Sequence, residues 1–164
     1  PVMKSINLAM LRREIATFQM QAHDGLEISY EGPKRAMIAA DSQLMRQAIT
    51  NLVKNSIEAM SDWESAQKPS PQIRVMLTEE MNIIRLAIVD NGPGLRAGVE
   101  EKVTEPYVTT KEKGSGLGLA IVKKIFDDHN AALKINNLSD KDKENYGFAS
   151  GVAVMIQFNI DSDV

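Results

Sequence analysis

The sequence has no cysteine among its 164 residues, which excludes disulfides and thiolate metal sites. It contains no apolar run close to the roughly 18 residues that a membrane-spanning helix needs, and its first residues lack the pattern of a signal peptide. It also lacks a basic stripe: the formal net charge is −3, which argues against a general nucleic-acid-binding protein. What remains is an ordinary globular composition, with 43% hydrophobic and 25% charged residues.

The chain starts at Pro1 and not at a methionine, so we expect it to be part of a longer protein. Its length predicts one domain over 1–164, large enough to bury a core. Apolar residues near its start recur at helical spacing, which predicts a lead-in helix over 1–20. These residues are Ile6, Met10, Leu11, Ile15 and Phe18.

Alternating and helical patterns predict the rest of the fold. Predicted strands cover 26–30, 36–40, 73–78, 83–89, 132–136 and 152–159, and predicted helices cover 43–60 and 116–128. Asp41 or Ser42 can cap the helix over 43–60. Because neighbouring strands are joined by short turns, the order favours an α/β sandwich, one sheet with helices on one face, over a doubly wound parallel sheet.

Two segments break the regular pattern. Residues 90–118 hold six of the ten glycines and show little periodicity, and loops of this length inside a compact domain are usually functional. Residues 139–150 are charged and rich in small side chains, which predicts an exposed hairpin excursion between two closing strands.

The predicted helix over 43–60 has an apolar stripe with a polar border. Asn51, Asn55 and Glu58 lie at i, i+4 and i+7, and so they line up along that border. Asparagine is mildly unfavourable within a helix, and its side-chain oxygen suits Mg²⁺, which completes its shell with water and phosphate oxygens. The alternative is that these polar residues simply face solvent.

A second candidate segment, Asp90-Asn91-Gly92-Pro93-Gly94, comes directly after a predicted strand. A carboxylate at a strand end can accept a hydrogen bond from an exocyclic amine such as that of adenine. Glycine at 92 and 94 removes the Cβ atoms where a flat ring would lie against the backbone. The alternative is a surface turn, because Asp, Asn, Gly and Pro are common turn residues.

A third segment, Gly114-Ser115-Gly116-Leu117-Gly118-Leu119, runs into a predicted helix. Backbone N–H groups at a helix start, unshielded by side chains, form an anion site. The segment does not follow a strand, which excludes a Rossmann motif, and no Gly-Lys-Ser/Thr follows the glycines, which excludes a Walker motif.

In this order and spacing, the segments resemble the ATPase superfamily that includes gyrase B, Hsp90, MutL and histidine kinases. NLVKNSIEAM at 51–60 is similar to the kinase N-box, and DNGPGL at 90–95 to the G1 box. EPYVTTK at 105–111 resembles the F-box, and GSGLGLAIVKKI at 114–125 resembles the G2 box. The Thr109-Thr110-Lys111 and GLGLAIV stretches look most like those of the nitrogen-regulation sensor kinases of the NtrY and NtrB type.

The resemblance covers about residues 5–160 and implies a Bergerat-type fold. That fold has a mixed, mostly antiparallel sheet with about three helices packed on one face. The resemblance also implies ATP and Mg²⁺ as cofactors. Asn55 is expected to supply its side-chain oxygen to Mg²⁺, and Asn51 is expected near the phosphates. Asp90 is expected to accept from the adenine amine, directly and through water, and so to select ATP over GTP. Gly92 and Gly94 are expected to let the base approach.

The resemblance also implies a long ATP lid over 96–115. Thr109, Thr110 and Lys111 are expected near its hinge, where Lys111 meets phosphate charge or, alternatively, stays an exposed lysine. The backbone of the third segment is expected to wrap the phosphates, through Gly114, Ser115, Gly116, Leu117, Gly118 and Leu119.

Position 51 bears on the reaction. Hydrolytic members of the superfamily carry a glutamate there, one turn before the metal-binding asparagine, and that glutamate activates water. Asn51 cannot act as a general base, so we expect slow hydrolysis and a γ-phosphate kept for transfer to another nucleophile. Such transfer needs mostly positioning and charge neutralisation.

The chain departs from the kinase pattern because it has no H-box, so we expect the phosphoacceptor histidine on a separate domain. His23 lies at a helix-to-strand junction, and His129 is expected to cap the last helix. Asn130-Ala131-Ala132 stands where the family usually has Gly-Gly, and Glu58 stands where many such kinases have Lys or Arg.

The expected partners are the kinase's own His-containing dimerisation domain and a response regulator, with no nucleic acid. We expect this chain to be monomeric and the parent kinase to be a homodimer. The resemblance implies a cytoplasmic domain and is compatible with a parent protein anchored in the inner membrane.

Two other functions fit parts of the sequence. A regulatory pseudokinase that only holds nucleotide is favoured by Asn130-Ala131-Ala132 and opposed by the intact Asn55, Asp90 and G2 box. A serine kinase of the anti-sigma-factor type shares the fold and needs no H-box. The Thr109-Thr110-Lys111 element favours the histidine kinase.

Overall fold

Strands and helices alternate unevenly along the chain in the computed structural model, which describes residues 1–95 and 117–160. The elements are β1 (Lys4–Asn7), α1 (Leu8–Ala22), β2 (Glu27–Glu31), β3 (Met37–Ala40), α2 (Ser42–Asp62), β4 (Gln72–Glu80), β5 (Ile83–Asp90), α3 (Leu117–Asp128), β6 (Ala132–Asn137), α4 (Asp140–Tyr146) and β7 (Val152–Asn159).

The main sheet has five strands in the order β2-β4-β5-β7-β6, which puts β5 at its centre. β2 pairs with β4 in parallel, and the other three pairings are antiparallel. β1 and β3 form a separate antiparallel pair in which Ile6 lies opposite Ile38. The predicted mixed, mostly antiparallel sheet is therefore confirmed.

One face of the main sheet packs against α1, α2 and α3, as predicted. The apolar stripe of α2 is buried at every position that helical spacing indicates: Met45, Ala48, Ile49, Leu52, Val53, Ile57 and Met60. Alternate residues of the central strands meet this stripe, among them Ile84, Leu86 and Ile88 of β5. This burial of apolar surface is the main force that fixes the helices against the sheet.

The predicted lead-in helix over 1–20 was wrong at its start. The chain first forms β1, and α1 begins at Leu8, where the side chain of Asn7 caps it by accepting from the N–H of Ala9. Met10 and Phe18 are exposed, and Leu8 takes a core position in their place. Pairing with β3 holds residues 4–7 extended, so the helix cannot include Ile6.

The predicted exposed hairpin excursion over 139–150 was also wrong. The segment contains α4, whose start carries a capping box between Ser139 and Asp142. Leu138 and Phe148, at its two ends, are buried against Ala87 and other small and apolar residues on the face of the sheet opposite α2. The sandwich therefore has a fourth helix on its second face.

The start of α2 is fixed by Asp41, which settles the choice between Asp41 and Ser42 as its N-cap. The Asp41 Oδ1 atom accepts from the N–H groups of Gln43 and Leu44, both at 3.1 Å. This satisfies two of the backbone donors that every helix start leaves without an intrahelical partner. Along the described ranges 1–95 and 117–160, no helix is both long and apolar enough to cross a membrane.

Candidate functional site

Asp90 ends the central strand β5 and lies 3% exposed between two backbone donors. Its Oδ1 atom accepts from the N–H of Gly92 at 2.9 Å and from the N–H of Val152 at 3.2 Å. Because a carboxylate oxygen accepts about two hydrogen bonds, Oδ2 is the oxygen that can accept from further donors. The orientation of the side chain is thus set by the loop that follows it and by the neighbouring strand β7.

Burial raises the pKa of Asp90 above its ordinary value, because the charged form loses solvation. The hydrogen bonds from Gly92, Ser56 and Val152 lower the pKa, and the effect of burial is the largest. A buried carboxylate with a perturbed pKa at a strand end is a common mark of a functional site.

Ser56 is a site residue that the sequence analysis missed. It is 6% exposed, and its side chain hydrogen-bonds Asp90, so α2 is joined directly to the end of β5. The signal was a polar residue inside the apolar stripe: Ser56 stands midway between Leu52 and Met60 at helical spacing.

The loop after Asp90 is fastened to the preceding connection through the buried side chain of Asn91. The Oδ1 atom of Asn91 accepts from the N–H of Gln72 at 2.9 Å, and its Nδ2 atom donates to the carbonyl of Ser70 at 2.9 Å. The backbone N–H of Asn91 donates to the carbonyl of Gln72. This residue therefore shapes the loop.

The same loop is held on its other side by residues that flank α4. The hydroxyl of Ser150 donates to the carbonyl of Gly92 at 2.6 Å, and Asn137 Oδ1 accepts from the N–H of Leu95 at 2.6 Å. Neither Ser150 nor Asn137 was predicted. Both lie more than 40 positions along the chain from their partners, so no local pattern could have indicated these bonds.

Gly92 and Gly94 lie where a side chain would disturb the loop. A Cβ atom on Gly92 would be 3.0 Å from Asp90 Oδ1 and 3.0 Å from Met60 Cγ, and one on Gly94 would be 2.9 Å from Asn137 Oδ1. Gly94 also has φ +89°, a conformation that favours glycine.

Asn51 and Asn55 lie half-buried on α2, and Asn55 precedes the serine that contacts Asp90. Their amide oxygens are hard ligands of the kind that Mg²⁺ accepts. Among residues 1–95 and 117–160, no group of three or more His, Cys, Asp or Glu side chains could cage a metal. The donors fit a Mg²⁺ ion held by one protein oxygen and by phosphates, which is how this ion usually binds with nucleotides.

The helix α3, which begins at Leu117, packs against α2 and carries Gly118 and Leu119 in its first turn. A Cβ atom on Gly118 would meet no atom of residues 1–95 or 117–160 within 4 Å. The side chain of Leu117 lies outside the described part of the chain, as do six predicted site residues and the predicted lid over 96–115. The six are Thr109, Thr110, Lys111, Gly114, Ser115 and Gly116.

At the end of α3, Asn130 takes a left-handed backbone conformation that glycine usually adopts. Asn130 has φ +55°, the N–H of Asn130 donates to the carbonyl of Asp127, and that of Ala131 donates to the carbonyl of Phe126. This is the Schellman arrangement that usually ends in glycine, and asparagine also tolerates it. His129 contacts the last turn of α3, because its Nδ1 atom lies 2.7 Å from the carbonyl oxygen of Ile125, as expected for a cap.

Comparison with known proteins gives a consistent family. Residues 40–160 match the model described as histidine kinase-, DNA gyrase B-, and HSP90-like ATPase. The chain is 34% identical over 137 residues to the nitrogen regulation protein NtrY of Azorhizobium caulinodans, covering 84% of this chain and 18% of that protein. It is 35% identical over 122 residues to the sensory histidine kinase/phosphatase NtrB of Rhizobium leguminosarum bv. phaseoli, covering 69% of this chain and 32% of that protein.

The solved structures agree in fold. The catalytic domain of histidine kinase ThkA superposes with a TM-score of 0.78 at 24% identity, covering 97% of this chain and 96% of that chain. ThkA has also been solved in complex with the response regulator protein TrrA. This chain spans less than a third of the length of the curated NtrY and NtrB relatives.

Proposed function

Because this chain belongs to the histidine kinase-, DNA gyrase B- and HSP90-like ATPase family, and its relatives are sensor histidine kinases, we propose that it binds ATP with Mg²⁺ and donates the γ-phosphate to a histidine on a separate dimerisation domain. The acceptor domain then passes the phosphoryl group to a response regulator. We also propose that the parent kinase is a homodimer and that this domain lies in the cytoplasm. This location is compatible with a parent kinase anchored in the inner membrane.

One observation carries the proposal. The hydrogen bond between Ser56 and Asp90 joins the helix turn that holds Asn55 to the carboxylate that ends β5. Ser56 thereby holds Asp90, the proposed acceptor for adenine. Its neighbour on the same helix, Asn55, carries the proposed metal-binding amide. In this proposal, the loop glycines and the backbone N–H groups in the first turn of α3 complete the site for a flat base and a chain of phosphates.

Each group has a defined task in this proposal. Asp90 accepts from the exocyclic amine of adenine and excludes guanine, whose carbonyl offers no donor there. Gly92 and Gly94 leave room for the ring, and Asn51 orients the phosphates without activating water. The remaining proposed contacts, to the phosphates, are Thr109, Thr110, Lys111, Gly114, Ser115, Gly116, Leu117, Gly118 and Leu119.

Mg²⁺, when bound, neutralises phosphate charge and fixes the geometry of the γ-phosphoryl group. Asn55 would hold it through its side-chain oxygen. Asn51 cannot deprotonate water, so the site favours transfer to an incoming nucleophile over hydrolysis.

We expect Asn55→Ala to remove the Mg²⁺ dependence of ATP binding. Addition of Mg²⁺ should tighten ATP binding by the unsubstituted chain about tenfold or more, which corresponds to a protein contact worth about 1.5–3 kcal/mol. The variant should respond less than about twofold. The measurement is calorimetric titration with a non-hydrolysable ATP analogue, with and without Mg²⁺.

Lys54→Ala, at the exposed neighbouring position of the same helix, is the matched control and should respond to Mg²⁺ as the parent does. Thermal unfolding of both variants checks that α2 is intact. A fully Mg²⁺-responsive Asn55→Ala variant would exclude Asn55 as the metal ligand.

Phosphotransfer is tested by supplying a His-containing dimerisation domain in trans with labelled ATP. Acid-labile, base-stable label on that domain is the expected result and supports the histidine kinase. Label that resists acid would indicate a serine kinase. Binding of ATP without transfer to any acceptor would indicate a regulatory pseudokinase.

A further inference from the structure

His129 lies between the end of α3 and the start of α2 and is not among the residues of the proposed nucleotide site. Its Nδ1 atom is 2.7 Å from the carbonyl oxygen of Ile125 in α3, and its Nε2 atom is 3.0 Å from the backbone nitrogen of Asp41, the N-cap of α2. Since the N–H of Asp41 must donate to Nε2, the ring carries its proton on Nδ1 and donates it to Ile125. One neutral imidazole thus bonds the C-terminal end of α3 to the N-terminal end of α2.

The two helices also pack against each other. Helices that meet at opposite ends and remain in contact run antiparallel, so distances along their axes can be compared from the junction. At about 1.5 Å per residue, Asn51 and Asn55 lie about 15 Å and about 21 Å from Asp41. The first residue of α3, Leu117, lies about 18 Å from His129 by the same measure. The start of α3 is therefore level with the turn of α2 that carries the two asparagines.

We propose that His129 is a positioning residue that sets the axial register of α3 against α2, and so places the N–H groups at the start of α3 beside the phosphates of the bound nucleotide. This inference rests on the proposed nucleotide site. Buried apolar residues of α3 such as Phe126 and Val122 contribute a non-directional force to helix packing. The two hydrogen bonds of His129 are directional and act at one defined level.

Three substitutions separate the two bonds. His129→Gln can place an acceptor near the Nε2 position and keep the bond to Asp41. His129→Asn can place a donor near the Nδ1 position and keep only the bond to Ile125. His129→Ala removes both bonds. The register depends on the bond between helices, so we expect Gln to preserve function and Asn to fail as Ala does.

The first readout is nucleotide affinity of the 164-residue chain, measured with the ATP analogue AMP-PNP plus Mg²⁺ and, separately, with adenosine. For His129→Ala and His129→Asn we expect at least a fivefold loss of AMP-PNP affinity with adenosine affinity unchanged, because only the phosphate contacts move. For His129→Gln we expect AMP-PNP affinity within twofold of the parent. Ser139→Ala, which removes the cap of α4 on the opposite sheet face, is the control for a general loss of stability.

The second readout is independent of nucleotide: the side-chain amide resonances of Asn51 and Asn55 in the free chain. They should shift in His129→Ala and His129→Asn and stay in place in Ser139→Ala. AMP-PNP affinity equal to the parent's in folded His129→Ala and His129→Asn, or a Gln variant as weak as Ala, would overturn the inference. If the unsubstituted chain binds no nucleotide, the proposed function is contradicted. The resonance shifts would still test whether His129 sets the register of α3 against α2.

Discussion

Asp90→Asn is expected to weaken ATP binding roughly 10- to 150-fold while the chain stays folded, which corresponds to the loss of a charge-assisted hydrogen bond worth about 1.5–3 kcal/mol. The Oδ1 atom accepts from two backbone N–H groups, Gly92 and Val152, and an asparagine oxygen must remain there to satisfy them. The asparagine nitrogen then takes the position of Oδ2. A donor would face the adenine amine, which is also a donor. Calorimetric titration with AMP-PNP measures the loss.

The stability of Asp90→Asn as a function of pH gives a second test of this account of Asp90. Since burial raises the pKa of Asp90, the folded chain binds more protons there than the unfolded chain between about 3.9, the ordinary aspartate pKa, and the raised value. The contribution of Asp90 to stability is therefore greatest below that window and falls as pH rises through it. Asparagine does not titrate, so the free energy of unfolding of Asp90→Asn should gain on that of the parent as pH rises.

Two results would count against this account of Asp90. Unchanged ATP affinity in a folded Asp90→Asn variant would remove the adenine assignment. A variant that loses stability relative to the parent as pH rises would contradict the effect of burial on the pKa.

Gly151→Ala is expected to have the largest effect on folding, destabilising the chain by about 3 kcal/mol or more. A Cβ atom on Gly151 would lie 1.8 Å from the carbonyl oxygen of Asp90, and the residue has φ +148°. The obstructing atom belongs to the backbone of the central strand, so relief requires that β7 move away from Asp90. The N–H of Val152 would then leave Oδ1, and ATP affinity should fall as well.

Gly147→Ala is the matched control for the clash. Gly147 also has a positive φ, +70°, and lies a few residues away, but a Cβ atom there meets no described residue within 4 Å. Its substitution should cost only the conformational penalty, about 1–2 kcal/mol, and should leave ATP affinity unchanged. Urea unfolding of the two variants gives the comparison, and equal losses of stability would contradict the close approach at Gly151.

Much of the fold followed from the sequence where one periodic pattern dominated. The apolar stripe of α2 and the alternation of β4 predicted those elements to within a few residues, because burial against one face determines both patterns. The nearly continuous apolar run of β5 predicted that strand as well, because β5 is buried on both faces. The first turns of α1 could not be predicted in the same way. Apolar residues there fit two helical phases, and the pairing of β1 with β3 selected the phase with Met10 and Phe18 exposed.

The helix α4 could not be predicted from periodicity because its residues are polar on all sides. It forms where a capping box starts it and where Leu138 and Phe148 bury its two ends on the second sheet face. Such a helix depends on tertiary contacts that no local pattern contains.

The candidate site, like the fold, could be predicted from the sequence only in part. The motif residues Asn51, Asn55 and Asp90 could be chosen from short segments, since their chemistry and spacing are local. The groups that orient them, such as Ser56 and Asn137, act across distant parts of the chain. Their roles depend on strand order and helix packing, which only the folded chain specifies.

The most direct test of the central claim is calorimetric titration of the 164-residue chain with AMP-PNP, with and without Mg²⁺, with the matching GTP analogue as the comparison. The account predicts binding in the micromolar range that Mg²⁺ strengthens and that the guanine nucleotide cannot reproduce. Absence of binding at millimolar nucleotide, or equal binding of the two bases, would contradict a site built around Asp90 and Asn55.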